Sequence, residues 1–226
     1  MSRRAVFLDK DGTLIQDVAY NVDPARIRLL PGAVEGLRRL HRAGYLLIVV
    51  TNQSGVARGR FSEAALGGVA QRLRQLLAPA GVPLAGFYYC PHHPEGIVPE
   101  YAIECACRKP EPGLVTRAAR EHGLDLVRCW LIGDILDDVE AGNRAGCRTI
   151  LLDNGGETEW VPGPHRLPHY VAADLRQASD IISAVDAGRS PGASSNLCLF
   201  RHRALGAGAP IEDGSWRPNL KEQVHE

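Results

Sequence analysis

Asp9 and Asp11, separated by a lysine and followed by Gly12-Thr13, come directly after the apolar run Ala5-Val6-Phe7-Leu8. Two carboxylates so spaced, emerging from a buried strand, can surround one reacting group: one attacks while the other moves a proton. The carboxyl ends of parallel strands are where open α/β sheets collect ligands. A carboxylate there can attack phosphorus and form an aspartyl-phosphate, dividing one hard displacement into two easier ones. As turn caps the same aspartates would be ordinary, but other strand ends supply matching chemistry. Thr51 ends a second apolar run with a hydroxyl able to donate to a phosphoryl oxygen, and Asn52, Gln53 and Ser54 add donors beside it. Asp134 ends a later run in Gly133-Asp134-Ile135-Leu136-Asp137-Asp138, where carboxylates crowd one turn. Mg²⁺ held by Asp9, Asp134 and a main-chain carbonyl, with Asp11 counted in the same metal set, would offset that repulsion and shield the phosphate charge. Asp138 would orient its neighbours or act through water, and Asp137 would face solvent. Lys109, next to Arg108, supplies the cation that a phosphoryl group with spreading charge requires.

A second constellation is made of softer donors. Cys90-Pro91-His92 and Cys105-Ala106-Cys107 form Cys-x-His, a twelve-residue gap, then Cys-x-Cys. Three thiolates and an imidazole complete a tetrahedral Zn²⁺ shell with no open position, so the metal is structural and pins a loop that has little core of its own. His93 could compete, but the every-second-residue pattern favours His92.

The elements that must position these groups follow from apolar periodicity. Strands are expected at Ala5 to Leu8, Tyr45 to Val50, Gly86 to Tyr89, Cys129 to Ile132 and Thr149 to Leu152, with a marginal one at His169 to Ala172. Helical patterns run from Ala33 to Arg42, from a Ser62 cap to Leu77, from Leu114 to His122, from Val139 to Ala145 and from Asp174 to Val185. Strands alternating with helices imply right-handed crossovers and a three-layer α/β/α, Rossmann-like parallel sheet. The prolines, histidines and cysteines between Cys90 and Pro112 make that segment irregular.

Composition bounds the rest. With 226 residues and 45% hydrophobic content the chain holds one main domain, taken as residues 1–188, followed by a tail, 189–226, without apolar periodicity and without catalytic duty. Basic and acidic residues both number 26, so no global charge argues for nucleic acid or for a polybasic membrane contact. The four apolar residues before Asp9 are too few for a signal sequence, and no run approaches a membrane span. A cytoplasmic monomer working on a small molecule is expected. Six cysteines in a reducing compartment point to thiol or metal chemistry, with Cys129, Cys147 and Cys198 as bystanders.

These residues resemble the haloacid dehalogenase (HAD) superfamily of phosphohydrolases through Asp9-Lys10-Asp11-Gly12-Thr13, Thr51, Lys109 and Gly133-Asp134 with Asp138, over about residues 5 to 185. The resemblance implies Asp9 as nucleophile, Asp11 as general acid and base, Thr51 and Lys109 holding the phosphoryl group, a requirement for Mg²⁺, and no large cap domain. The run Tyr89 to Gly96, with Cys105 to Pro110, is similar to the sugar-bisphosphate phosphatases of bacterial heptose-nucleotide synthesis. That closer likeness implies Arg108 on the substrate's far phosphate and Asp17 to Tyr20 with Gln53 and Ser54 on the sugar side. It also implies a product on the route to ADP- or GDP-heptose. Ile135 departs from the pattern, since some members carry lysine there. The histidinol-phosphatases share the aspartate motif and a similar zinc loop, but a monophosphate on a cationic amine gains nothing from a second guanidinium. A phosphoacceptor switch is the alternative from another class; an acid and base at Asp11 argues against it, because a switch needs its acyl-phosphate to persist.

Overall fold

The computed structural model describes residues 3–191, so Cys198 and most of the expected tail lie outside the described residues. The short apolar runs form β1 (Ala5–Leu8), β2 (Leu46–Asn52), β3 (Gly86–Cys90), β4 (Trp130–Gly133), β5 (Arg148–Leu152) and β6 (Tyr170–Ala172). The connections carry α1 (Ala33–Arg42), α2 (Ala65–Leu77), α3 (Gly113–His122), α4 (Leu136–Ala145) and α5 (Leu175–Asp186). Every strand pairing is parallel, in the order β3-β2-β1-β4-β5-β6.

Alternation along each strand divides the core into two faces. Val6, Leu8, Leu47, Val49 and Ile132 meet Leu37 of α1, Leu73 of α2 and Ile182 of α5. Ala5, Phe7, Ile48, Val50 and Leu131 meet Leu114 and Val115 of α3 and Ala141 of α4. Leu136 and Val139 of α4 extend that second face over Leu151 and Val171. Strands buried on both faces explain why these segments read as continuous apolar runs. Each fully buried Leu, Ile or Phe contributes roughly 1.5–3 kcal/mol relative to exposure.

The chain winds outward from β1 to β3, then returns to place β4 against the other side of β1. The strand order therefore reverses between β1 and β4, which opens a crevice at their carboxyl ends. The Asp9 N–H donates to the Ile132 carbonyl at 3.0 Å, carrying the pairing past the end of β1. The connection from residue 9 to 32 carries only a short 3-10 turn, Pro24–Arg26, and the segment 91–112 has no regular element, in agreement with a fold lacking a large cap.

Three boundaries differ from expectation by more than one residue. Thr51 and Asn52 belong to β2 rather than to a loop, because they continue the pairing against Tyr89 and Cys90. Helix α4 starts at Leu136, ahead of Val139, because carboxylates satisfy its first free amides: Asp138 Oδ2 accepts from the Ile135 N–H at 3.4 Å and Glu157 Oε2 from the Leu136 N–H at 2.7 Å. Helix α2 starts at Ala65; Ser62 forms a turn before it, its carbonyl accepting from the Ala65 N–H at 3.0 Å.

Candidate active site

The tight turn after β1 sets the first two carboxylates. Gly12 takes a positive φ of 74°, and a Cβ there would run into the Asp134 carboxylate, so only glycine fits. Thr13 Oγ1 donates to Asp134 Oδ1 at 2.7 Å, tying the turn after β1 to the end of β4. Asp11 is held from both sides: Lys10 Nζ donates to Oδ1 at 2.6 Å and Gln53 Nε2 to Oδ2 at 3.1 Å. Burial raises the Asp11 pKa above the ordinary aspartate value, with the neighbouring Asp9 adding to the rise and Lys10 opposing it. That favours the neutral carboxyl an acid catalyst needs at the start.

One oxygen from each of Asp9, Asp134 and Asp138 lies within 4.8 Å of the others. The buried Lys109 reaches into this cluster, with Nζ 2.5 Å from both Asp9 Oδ1 and Asp138 Oδ1 and 3.1 Å from the Val50 carbonyl. Burial disfavours the ammonium, but Asp138 and Asp9 outweigh it and the Lys109 pKa rises. Desolvation, then Asp9 and Asp138, push Asp134 up to about 8. Asp138 also rises, from desolvation first, with Lys109 opposing and Asp9 adding. One ammonium against three carboxylates leaves surplus negative charge on hard oxygen donors, which fits a divalent cation such as Mg²⁺. The Asp11 carboxylate, expected among the Mg²⁺ ligands, is not in this cluster; it is engaged by Lys10 and Gln53, so any contribution from residue 11 is left to its main chain. Asp138 stands as the fully buried partner of Lys109, and Asp137 pairs with Arg166 at 2.6 Å.

Cys90, His92, Cys105 and Cys107 converge as the spacing anticipated. Cys107 Sγ lies 3.2 Å from Cys90 Sγ, 3.3 Å from Cys105 Sγ and 3.4 Å from His92 Nδ1. The adjoining thiols, Cys90 foremost, hold Cys107 down at about 5 against its burial, the thiolate character that zinc ligation uses. The set can hold Zn²⁺. His93 is excluded: its Nε2 meets Arg58 at 3.0 Å and its Nδ1 accepts from the Glu95 N–H at 3.1 Å. Cys129 and Cys147 are buried in the core, where desolvation raises both thiols.

Asn52 couples this loop to the sheet. Its Oδ1 accepts from the Lys109 N–H at 3.0 Å and its Nδ2 donates to the Lys109 carbonyl at 2.9 Å, so the amide holds the lysine's backbone while the residue lines both hollows of the cleft. Gln53 is likewise buried, its Nε2 also donating to Thr51 Oγ1 at 3.0 Å. Asp9, Asp11, Thr51, Lys109, Asp134 and Ile135 border one open cleft of about 640 Å³. An adjoining hollow of about 130 Å³ brings in Lys10, Asp17, Tyr20 and Ser54. Arg108 lines neither; its guanidinium reaches the His92 carbonyl at 3.5 Å. A groove of about 580 Å³ between residues 24–29 and α2 contains none of these site residues.

Sequence reasoning missed Lys10, Thr13 and the loop after β5. In that loop Asn154 Nδ2 donates to the Gly12 carbonyl at 2.6 Å, and a Cβ on Gly156 would clash with Asp134. Asn154-Gly155-Gly156 at a strand's carboxyl end was the available signal.

A parallel sheet that brings paired carboxylates, a hydroxyl and a buried lysine to its switch point defines the class as a cation-assisted phosphohydrolase of the α/β type. A family model described as HAD-hydrolase-like matches residues 106–178, and one described as polynucleotide kinase 3 phosphatase matches residues 4–137. A D-glycero-beta-D-manno-heptose-1,7-bisphosphate 7-phosphatase of Pasteurella multocida is 42% identical over 183 residues, 81% of this chain and 98% of that protein. The Escherichia coli K12 protein of the same name is 39% identical over 153 residues, 68% of this chain and 80% of that one. The crystal structure of a D,D-heptose 1,7-bisphosphate phosphatase from B. bronchiseptica, complexed with magnesium and phosphate, superposes with a TM-score of 0.66 at 31% identity, covering 81% of this chain and 99% of that chain. The chain belongs to the HAD-like phosphatase family, and is a phosphoric monoester hydrolase.

Proposed function

We propose that this protein is a Mg²⁺-dependent phosphatase that removes the 7-phosphate of D-glycero-D-manno-heptose 1,7-bisphosphate through an aspartyl-phosphate on Asp9. The observation that carries the reading is the meeting of Asp9, Lys109 and the aspartates of the β4 end at the mouth of the strand-order reversal, with Lys109 two residues past a zinc-competent cysteine. The relatives named for this reaction span most of the chain and support the substrate.

Asp9 attacks phosphorus and Asp11 protonates the departing sugar oxygen; Asp11 then takes a proton from the water that hydrolyses the acyl-phosphate. Thr51 and Lys109 hold the phosphoryl oxygens. Asp9 and Asp134 would bind Mg²⁺, with Asp138 steadying Lys109 beside them; when bound the cation supplies charge neutralisation on the phosphoryl group. Cys90, His92, Cys105 and Cys107 would bind Zn²⁺ as a structural brace. Asp17, Tyr20, Gln53 and Ser54 wall the sugar side, with Asn52 lining both hollows. The 3.5 Å contact to the His92 carbonyl is a weak tether for Arg108, so its planar fork is available to the 1-phosphate.

The described cysteines are free thiols, which fits the cytoplasm. We take residues 1–188 as the working domain, a reading supported by the match to a relative over 98% of that protein's length, which spans 183 residues of this chain.

Phosphate release from both heptose bisphosphate anomers, histidinol phosphate and fructose 1,6-bisphosphate tests the assignment. The heptose bisphosphate should give the highest kcat/KM; a preference for histidinol phosphate would move the protein to the neighbouring activity. Arg108→Ala should lower kcat/KM for the bisphosphate by about 10²-fold, in line with loss of a charge-assisted bidentate contact, and leave a simple monophosphate nearly unaffected. Equal losses on the two substrates would remove the case for a bisphosphate.

A further inference from the structure

Two buried side chains touch the Asp11 carboxyl without a chemical role in this scheme: Lys10, and Gln53, which also lines the smaller hollow. Lys10 is 1% exposed. A buried ammonium pays a desolvation cost that a methionine of similar length would avoid, so its ion pair is poor evidence of a gain in stability. Its Nζ lies 2.6 Å from Asp11 Oδ1, and Gln53 Nε2 lies 3.1 Å from Asp11 Oδ2 and 3.0 Å from Thr51 Oγ1. Each Asp11 oxygen thus has its own donor, one from the turn after β1 and one from the segment just past β2. Each oxygen keeps a second lone-pair site, and Asp11 borders both hollows of the cleft.

We propose that Lys10 and Gln53 are positioning residues that clamp the Asp11 carboxyl in register with the phosphoryl group held by Thr51. The proposal rests on the reading of Asp11 as acid and base. In the first step the phosphorus–ester oxygen bond breaks, the Asp9–phosphorus bond forms, and the Asp11 proton passes to the ester oxygen, which leaves as an alcohol. In the second, Asp11 takes a proton from water as the water oxygen bonds to phosphorus and the Asp9–phosphorus bond breaks, releasing phosphate. Both transfers demand the same carboxyl in the same place, and a misplacement near 1 Å costs about 10²-fold. Two anchors remove the rotations that would misplace it. Lys10 acts through the Asp11 carboxyl rather than on the substrate.

The test uses the full chain with Mg²⁺ and two substrates that differ in their need for the proton. A sugar alkoxide leaves only when protonated; the nitrophenolate of p-nitrophenyl phosphate leaves without help. Lys10→Met and Gln53→Met should each lower kcat/KM for heptose 1,7-bisphosphate by about 10²-fold, mainly through kcat, while kcat/KM for p-nitrophenyl phosphate, which reports only the steps up to nitrophenolate departure and not the shared hydrolysis of the acyl-phosphate, loses under about threefold because that departure needs no aligned proton. Lys10→Arg, which keeps a cationic donor, should recover most of the loss. Even losses on both substrates, no loss, or a rise in KM with kcat unchanged would each overturn the clamp. If Lys10→Met does not fold, Gln53→Met alone decides. Asp11→Asn runs alongside: if it lacks the selective loss, the acid and base reading fails and takes the clamp with it. If it shows that loss while both clamp variants lose evenly, only the clamp falls.

Discussion

The two aspartates after β1 differ in surroundings more than in sequence. Asp9 faces Lys109, whereas Asp11 is gripped by Lys10 and Gln53, and the proposed division of labour between nucleophile and acid agrees with those partners. Asp9→Asn and Asp11→Asn should each reduce turnover by at least about 10³-fold with melting temperature little changed; full activity in either purified variant would contradict the assignment. Asp134 allows a test through pH. Its pKa rises from 3.8 to about 8 in the metal-free fold, so between those values the folded protein binds more protons than the unfolded chain. Stability from this group is therefore fully present below pH 3.8 and is lost as pH rises toward about 8. The metal-free protein should gain melting temperature on Asp134→Asn, and gain more at pH 8 than at pH 5. Protons also compete with the cation, so Mg²⁺ activation of the parent enzyme should tighten as pH rises over that range. Activation independent of pH would show that Asp134 is not among the groups that bind the ion. The residue types and spacing of Asp9, Asp11, Thr51, Lys109 and Asp134 were legible because each sits at a strand end. Lys10 was not, since a lysine between two aspartates reads as exposed until burial is known.

The loop between β3 and α3 carries no regular structure and contributes no side chain to the buried apolar core, yet it delivers Lys109 to the floor of the cleft. Two devices hold it: the thiol–imidazole cluster at Cys90, His92, Cys105 and Cys107, and the paired hydrogen bonds between Asn52 and the Lys109 backbone. Cys105→Ser should abolish equimolar zinc, measured by elemental analysis, and open residues 91–107 to limited proteolysis. It should also lower kcat, because Lys109 loses its mooring on one side. Unchanged zinc content would show that the four residues do not ligate. The Cys-x-His and Cys-x-Cys pattern was plain in the sequence because ligand spacing is local. The contribution of Asn52 was hidden because its partner is 57 residues away. The early start of α4 was hidden for the same reason, since Glu157 caps it from 21 residues downstream.

For the whole molecule, the doubly wound sheet brings together Asp9, Thr51, Lys109 and Asp134, all well ahead of residue 188. A chain ending at Gly188 should keep kcat/KM within about twofold and should melt at the same temperature. A large loss would assign the C-terminal segment a part in the site or in assembly. The sequence by itself determined the alternation of strands and helices, the parallel three-layer architecture, and the identity of the carboxylates and metal-competent thiols. Those depend on short-range periodicity and on residues a few positions apart. Tertiary structure alone decided which carboxylates meet. The reversal of strand order set β4 against β1, bringing Asp134 beside Asp9 and allowing Lys109 to bridge Asp9 and Asp138. It also gave the amides of Asn52 and Gln53 partners within the protein while leaving both residues on the walls of the cleft. Pairing across the sheet and burial are properties of segments distant in the chain, and no local pattern records which of them become neighbours.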